Sequence, residues 1–591
     1  NQLKGGEMYR SNDGGNTWKK VNDSKFNLSS KAAYSFNQVT VDPFDPELVY
    51  VLSAAMHISR DGGKTWTGFE RGEEDRYFSR VFGDYRTMWI DPKDSRHILI
   101  GSDGGVYVSF DKGKTAEHLY NIPAQEVYSV GVDGLTPYNV YCGLQDHEAW
   151  RGPSNSWAGQ ITLEDWAVVG ISDGMYCQPD METNRWFYTT GQFGTHQRVD
   201  LWTGQRVSIL PARPKDQPPY RFTWTTPIVI SPHDVSTIYT AGEVLLKSED
   251  RGNHWTEISP DLTTNDSKKK NGRGHIQYCT ITTISESPIK PDVLWVGTDD
   301  GKVQVSRNGG EEWFDCTEAL TNAGAPSHFW VTRVFASNKD DATAYVTKSG
   351  FVFDDFRPVV MKTTNGGKSW ENIQSNLPNE SANVIWEDKE NTSLLFMGTD
   401  GGAYASIDGG AHWARFKNIP PVPVKDLVVH PRENDLVLGT FGRGCYVTHI
   451  GPLKTLTNAL LNEDVVLFPV KSRPQMNFSE QRWWGNRELM GDKHLSTPNE
   501  FNGFEVFFFL RTARQSVKLE FRDSADSLKT VACDSTSGMH KKAWAFGRAE
   551  PGEFEIKLIV DDRSYETSAS ILPRLLWPVG NQEVHRQSLK E

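Results

Sequence analysis

The chain has 591 residues, enough for about four domains of ordinary size. Lys and Arg number 63 against 76 Asp and Glu, a net charge of −13 with no basic stripe to offset it, which argues against nucleic acid as a partner. No run of about 18 apolar residues is present, so the sequence offers no membrane-spanning segment, and the polar start Asn1–Gly6 lacks the apolar region of a secretory leader.

The 51 Gly, 30 Pro and 20 Trp fit an all-β chain of short strands and many turns. Cys142, Cys177, Cys279, Cys316, Cys445 and Cys533 lie far apart without a CxxC pair, which gives neither a zinc site nor a disulfide framework. No metal or other cofactor is expected. Calcium at the acidic loops is conceivable, but no motif supports it.

In chain order, the first element is an eight-residue box, Ser-x-Asp-x-Gly-x-x-Trp. It reads SNDGGNTW at 11–18, SRDGGKTW at 59–66, SFDKGKTA at 109–116, SEDRGNHW at 248–255, SRNGGEEW at 306–313, TTNGGKSW at 363–370 and SIDGGAHW at 406–413. Most copies start about 43–58 residues apart, the period of a four-stranded propeller blade. The gap from Ser109 to Ser248 is about three periods long, so two units there have kept the fold and lost the box. Ahead of most boxes stand two β-branched runs split by a turn, such as Val39-Thr-Val with Leu48-Val-Tyr-Val-Leu, and Leu427-Val-Val-His with Leu436-Val-Leu-Gly.

Residues 1–450 therefore predict a propeller of about eight to nine blades. The stretch 8–22 supplies only the last strands of a blade and 426–450 only the first strands of another. Either these halves join, or blades are missing ahead of Asn1; the second is expected. Residues 451–498 read as a linker. Residues 499–575, with alternating runs such as Phe504-Glu-Val-Phe-Phe-Phe-Leu, read as a small Ig-like β-sandwich, and 576–591 as a polar tail.

The box residues are expected to be structural. Asp13, Asp61, Asp111, Asp250 and Asp408 sit in glycine-rich turns, where a short acceptor side chain binds backbone N–H groups. Asn308 and Asn365 replace the carboxylate in two copies, which suits a turn and not a catalyst. Trp18, Trp66, Trp255, Trp313, Trp370 and Trp413 are expected to pack between blades.

These boxes resemble the Asp-box (BNR) repeats of sialidases, xyloglucanases and the sortilin group. Residues 1–450 resemble bacterial sortilin-like BNR-repeat proteins often labelled glycosyl hydrolase, through Gly101-Ser-Asp-Gly-Gly-Val-Tyr-Val-Ser, Gly143-Leu-Gln-Asp, Pro218-Pro-Tyr-Arg-Phe-Thr-Trp-Thr-Thr-Pro-Ile, Asp354-Asp-Phe-Arg-Pro and Gly439-Thr-Phe-Gly-Arg-Gly. The resemblance implies further N-terminal blades and an Ig-like C-terminal domain. Where relatives often carry histidines, this chain has Phe82, Tyr85 and Arg86 around Asp84, and Phe441, which removes groups that titrate near neutral pH. Asp84 and Arg86 are expected to form an ion pair.

The candidate ligand-binding residues stand on glycine–acid turns or beside them: Asp103, Gln145, Asp146, His147, Trp150, Asp173, Asp299, Asp300, Asp400 and Arg443. Candidates for a catalytic carboxylate are Asp84, Asp146 and Asp173. The expected function is a secreted, periplasmic or cell-surface binding and scaffold protein for a glycan, glycoprotein or peptide. The alternatives are a glycoside hydrolase with paired carboxylates, and a peptide receptor or subunit of a larger protein assembly.

Overall fold

The structure, a computed structural model, describes residues 6–22, 27–29, 35–67, 78–271, 276–475 and 491–573. The tail expected at 576–591 lies outside them. The chain divides into two compact units, Asn1–Ala124 with Met490–Leu495, and Gln125–Leu489 with Ser496–Glu591. The expected run of blades over 1–450 is thus shared between two units.

The smaller unit holds a two-stranded sheet (Tyr9–Arg10, Lys19–Lys20), a three-stranded one (Gln38–Val41, Val49–Leu52, Met56–Ser59) and a four-stranded one (Tyr85–Asp91, Asp94–Ser102, Gly105–Ser109, Glu117–His118).

The larger unit builds a closed ring of seven antiparallel meanders. The first blade is Val127–Val132, Asn139–Leu144, Ala149–Pro153 and Ala167–Val168. The inner strands of blades two to seven are Tyr176–Pro179, Ile228–Ile230, Ile281–Glu286, Trp330–Ala336, Ala382–Glu387 and Val424–His430. Among the described residues six blades have four strands and the seventh has three, its others being Asp435–Thr440 and Gly444–His449. Blades one and two fill the interval where the box spacing calls for two box-free units. Second strands such as Leu294–Thr298 and Leu395–Thr399 are buried at every position, because each blade is covered by a neighbour on both faces.

Polar side chains tie several inner strands to the next. Ser129 Oγ accepts from the Cys177 N–H (3.3 Å), Thr283 Oγ1 from Val334 (3.2 Å) and Asp426 Oδ2 from Val130 (3.0 Å). The last bond joins blade seven to blade one and closes the ring. Near the axis the Tyr176 hydroxyl donates to the Thr282 carbonyl at 3.0 Å, from blade two to blade four, and Arg333 Nη2 pairs with Asp426 Oδ1 at 2.6 Å, from blade five to blade seven.

Five inner strands carry a bulge at the same place, one residue before these ties. The extra residues are Tyr128, Thr282, Thr332, Asn383 and Lys425. A bulge re-aims a side chain without ending the ladder. In a meander, the first–second and third–fourth connections leave at one end, and the second–third turn and the crossing to the next blade leave at the other. The boxes fill third–fourth turns and the glycine–acid turns are second–third turns, so in the ring they lie on opposite faces.

Each box is a closed hydrogen-bond unit. Asp250 Oδ1 accepts from the His254 N–H and the Ser248 hydroxyl, both at 2.9 Å, and Ser248 Oγ accepts from the Gly252 N–H at 2.8 Å. Asn308 and Asn365 accept the same pair of bonds through Oδ1, all at 3.0 Å. Side-chain bonds from Thr17, Thr65 and His254 lead the causes that hold the Asp13, Asp61 and Asp250 carboxyls at about 2, so they stay ionised within their turns. Trp255 and Trp413 donate Nε1 to the Ile209 and Ile373 carbonyls of the preceding repeat (2.8 and 2.9 Å). Trp18 is 64% exposed, beside a sheet of only two strands.

The last part of the chain is a β-sandwich. Strands Val465–Leu467, Gly503–Leu510 and Gly538–Ala545 face Arg473–Pro474, Val517–Asp523, Leu528–Ala532, Gly552–Val560 and Arg563–Leu572. Alternate residues (Phe504, Val506, Phe508, Leu519, Phe521, Ile556, Leu558) fill the shared core. Two of these strands come from the stretch 451–498, which the sequence presents as a linker. Ser496–Pro498 pairs with Gln160–Thr162 in the third–fourth connection of blade one, and Asn499 exchanges two 2.8 Å bonds with the Ser156 backbone. Lys471 Nζ reaches Glu433 at 2.6 Å. The sandwich is therefore fastened to blades one and seven.

Candidate functional site

The candidate site lies on the face opposite the boxes, over blades one to three and seven. Tyr128, the bulged residue of blade one, stands at its centre. Its hydroxyl donates to Gln145 Oε1 in the second–third turn of the same blade, and Gln145 Nε2 donates to Asp173 Oδ2 at 2.8 Å on the crossing to blade two. Trp224, on the crossing from blade two to blade three, donates Nε1 to the Tyr128 hydroxyl at 3.1 Å. Four side chains from three connections and one strand thus form a single chain of hydrogen bonds. Burial chiefly, with Asp173, Glu126 and Asp146 nearby, pushes the Tyr128 hydroxyl up against the opposing Trp224 bond, so it stays protonated and remains a donor.

Aromatic rings frame this chain. Phe193 meets Trp224 edge to face at 5.3 Å and Phe441 of blade seven meets Tyr128 at 5.5 Å. Phe193, Tyr220, Phe222 and Gln277 line a cavity of about 310 Å³. On the same face the backbone is in the left-handed region at Asp146 (φ 61°), Glu148 (58°), Ser172 (58°) and Phe193 (55°), which non-glycine residues adopt at a cost of about 1–3 kcal/mol each. Ser172 Oγ donates to Gln192 Oε1 at 3.0 Å, and Glu148 bridges to Asp173 through the backbone.

The structure brings Gln145, Asp146 and Asp173 together on this face. The neighbouring His147 offers its carbonyl to Trp150 Nε1 (2.6 Å), and the Trp150 ring packs against the core between blades one and seven. The other expected residues of the ring stand on second–third turns of the same face but outside this chain of hydrogen bonds. Asp299 is buried and accepts from the Thr280 N–H and hydroxyl (2.9 and 2.8 Å); burial raises its carboxyl to about 7 against those bonds. Asp300 is buried beside it, bound to the Thr264 N–H (2.8 Å) and the Thr298 hydroxyl (2.6 Å). Behind them the Lys348 ammonium is buried on the Gly301 and Pro326 carbonyls (3.0 and 2.8 Å), lowered by burial to about 7. Asp400 pairs with Lys425 and Asn383, both at 2.9 Å. Arg443 is exposed, its N–H on Thr440 Oγ1 at 3.2 Å.

In the smaller unit, Arg86 forms an ion pair with Asp103 at 2.5 Å, whereas the sequence points to Asp84 as its partner. Asp84 precedes that strand with φ 57°, and burial first, then Asp103, raises its carboxyl against Arg86.

Sequence reasoning missed Tyr128, Phe193, Tyr220, Phe222, Trp224 and Phe441 as site residues. One signal was present: Tyr220, Phe222 and Trp224 alternate in a stretch with no box and no strand partner. The bulge that aims Tyr128 leaves no mark in composition.

The ring, its bulged inner strands and this aromatic face define the class: a multi-bladed β-propeller carrying a β-sandwich. No protein-family model matches the chain, and no curated protein does. Among solved structures, the extracellular domain of the putative hybrid two component system BT4673 from B. thetaiotaomicron is similar over 91% of this chain and 74% of that one, at 11% identity and a TM-score of 0.38. The Myceliophteria thermophila Cps50 (Swd1) β-propeller domain is similar over 54% of this chain and 96% of its own, at 12% identity and a TM-score of 0.37. The Niastella koreensis GH74 enzyme is similar over 90% and 87%, at 13% identity and a TM-score of 0.24. Among the described residues no helix is long and apolar enough to cross a membrane.

Proposed function

We propose that this chain is a sortilin-like Asp-box propeller that works outside the cytoplasm as a binding protein, with a glycan as its ligand. The Ig-like reading of the sandwich belongs to the same proposal. The observation that carries it is the aromatic cavity of Phe193, Tyr220 and Phe222, joined through Trp224 to the chain Tyr128–Gln145–Asp173. Aromatic faces stack on pyranose rings, and a carboxylate with an amide beside it accepts and donates to sugar hydroxyls. One oxygen of Asp173 is engaged by Gln145, which suits orientation of a ligand better than nucleophilic or acid–base work.

The test is calorimetry of the whole chain against a panel of soluble polysaccharides, with mass spectrometry of the supernatant. One glycan class is expected to bind and to be recovered intact. Trp224→Ala is expected to weaken it about 30-fold, roughly 2 kcal/mol, with an unchanged melting midpoint. Recovery of shortened sugar would make the chain a glycoside hydrolase. Retention of peptides alone would replace the glycan with a peptide ligand.

A further inference from the structure

Two thiols meet where the ring closes. Cys142 lies on the second strand of blade one and Cys445 on the third strand of blade seven. Cys142 stands opposite Val130 in its ladder, and Cys445 opposite Gly439 in its own. Gly439 is pressed so closely onto blade one that a Cβ there would lie 2.8 Å from methyl groups of both Val127 and Val130. The two ladders therefore touch at the level of both cysteines. Both side chains pack in one apolar cluster with Val127, Val130 and Val437, and the neighbouring Cys445 thiol raises the Cys142 thiol. Neither is in a disulfide here, Cys142 is 2% exposed and Cys445 is half-buried.

We propose that Cys142 and Cys445 form a disulfide that staples blade seven to blade one. The oxidant is a low-molecular-weight disulfide such as oxidised glutathione. The more accessible Cys445 thiolate attacks one sulfur and releases the first glutathione thiol, leaving a mixed disulfide. Cys142 gives up its proton and attacks Cys445 Sγ, releasing the second. Two protein thiols are oxidised, one small disulfide is reduced to two thiols, and the protons pass to the leaving thiolates. The neighbouring Cys445 thiol and burial both hold the Cys142 thiol up, which makes this second step slow at neutral pH and faster as pH rises. The staple closes a loop of nearly the whole ring, the kind that most restricts the unfolded chain. It also fixes the edge of the candidate site, because Phe441, from the turn just before Cys445, bridges to Glu126 and packs on Tyr128.

The folded full-length chain, incubated with oxidised glutathione at mildly alkaline pH, is digested without reduction and mapped by mass spectrometry. A Cys142–Cys445 linked peptide pair is expected, with two hydrogens lost from the intact mass and a melting midpoint higher by roughly 5 °C. Cys177→Ser keeps the link, although Cys177 is buried nearby, and Cys445→Ser abolishes it together with the rise. Recovery of both cysteines as free thiols or separate glutathione adducts, or a bridge that includes Cys177, would overturn the proposal. The mapping of the unsubstituted chain decides this even where a variant fails to fold.

Discussion

The ring has two arcs. Blades three to six each carry a box between their third and fourth strands; blades one, two and seven carry none. In the boxed arc the same turn recurs with the same bonds, and the indoles of Trp255, Trp313 and Trp413 donate to carbonyls of the repeat before. In the box-free arc other contacts hold those turns. Trp166 covers Gly152 in blade one so closely that a Cβ would clash with its ring, and the connection before it pairs with Ser496–Pro498, the strand that leads into the sandwich. The box-free arc also carries the aromatic face and the closing seam. The repeated turn is thus replaceable scaffolding, and the blades that gave it up gained irregular connections with room for a site.

Substitutions can break this contrast or sharpen it. The largest effect is expected where the arcs meet across the axis. Arg333→Ala leaves the Asp426 charge buried and unpaired, and chemical denaturation should show a loss of about 3–5 kcal/mol. Trp224→Ala, in the box-free arc, should remove about 2 kcal/mol of ligand binding and little stability. Asp408→Ala, in the boxed arc, should do the reverse: about 1–2 kcal/mol of stability lost, since the Ser406 hydroxyl and His412 N–H lose their acceptor, with binding unchanged.

A pH dependence separates the arcs further. The Asp299 carboxyl sits at about 7 when folded against 3.8 for the free group, so the folded chain holds an extra proton between those values. Stability from this group is full below about pH 4 and is lost as pH rises towards 7. Denaturation midpoints across that range should fall, and Asp299→Asn should flatten the fall; an unchanged slope would refute the assignment. The smallest effect is expected for Asn308→Asp, under about 0.5 kcal/mol by thermal melting, because both side chains offer the same Oδ1 to Ser306 and Glu312.

The propeller was legible because its marker repeats: seven boxes set the period, and the long gap located two blades that have none. The division between units at Ala124 was not legible, since the box at 109–116 and the strand at Val127 follow at ordinary spacing. Nor did the strands Val465–Leu467 and Arg473–Pro474 stand out, being three and two residues long in polar surroundings. Of the site, the glycine–acid turn at Gln145–Asp146 was visible as a motif, and Asp299 and Asp300 looked the same. What separates them is burial: the second pair is consumed by Thr280, Thr264 and Thr298. That depends on where the long crossing from blade three to blade four folds back, which no local pattern records.

Among the described residues, each of the seven blades of the ring is one unbroken stretch of chain, and none borrows a strand from the far end. Each can therefore be completed as the nascent chain emerges, one hairpin after another, with its predecessor as template. Joining Val127–Val132 to Val424–His430 is different, because it must wait for the whole ring and close a loop of roughly 300 residues, the costliest encounter in chain entropy. Until Val130 finds Asp426, the newborn propeller is an open arc with two unpaired apolar flanks. Its exposure to misassembly during synthesis is concentrated in that interval.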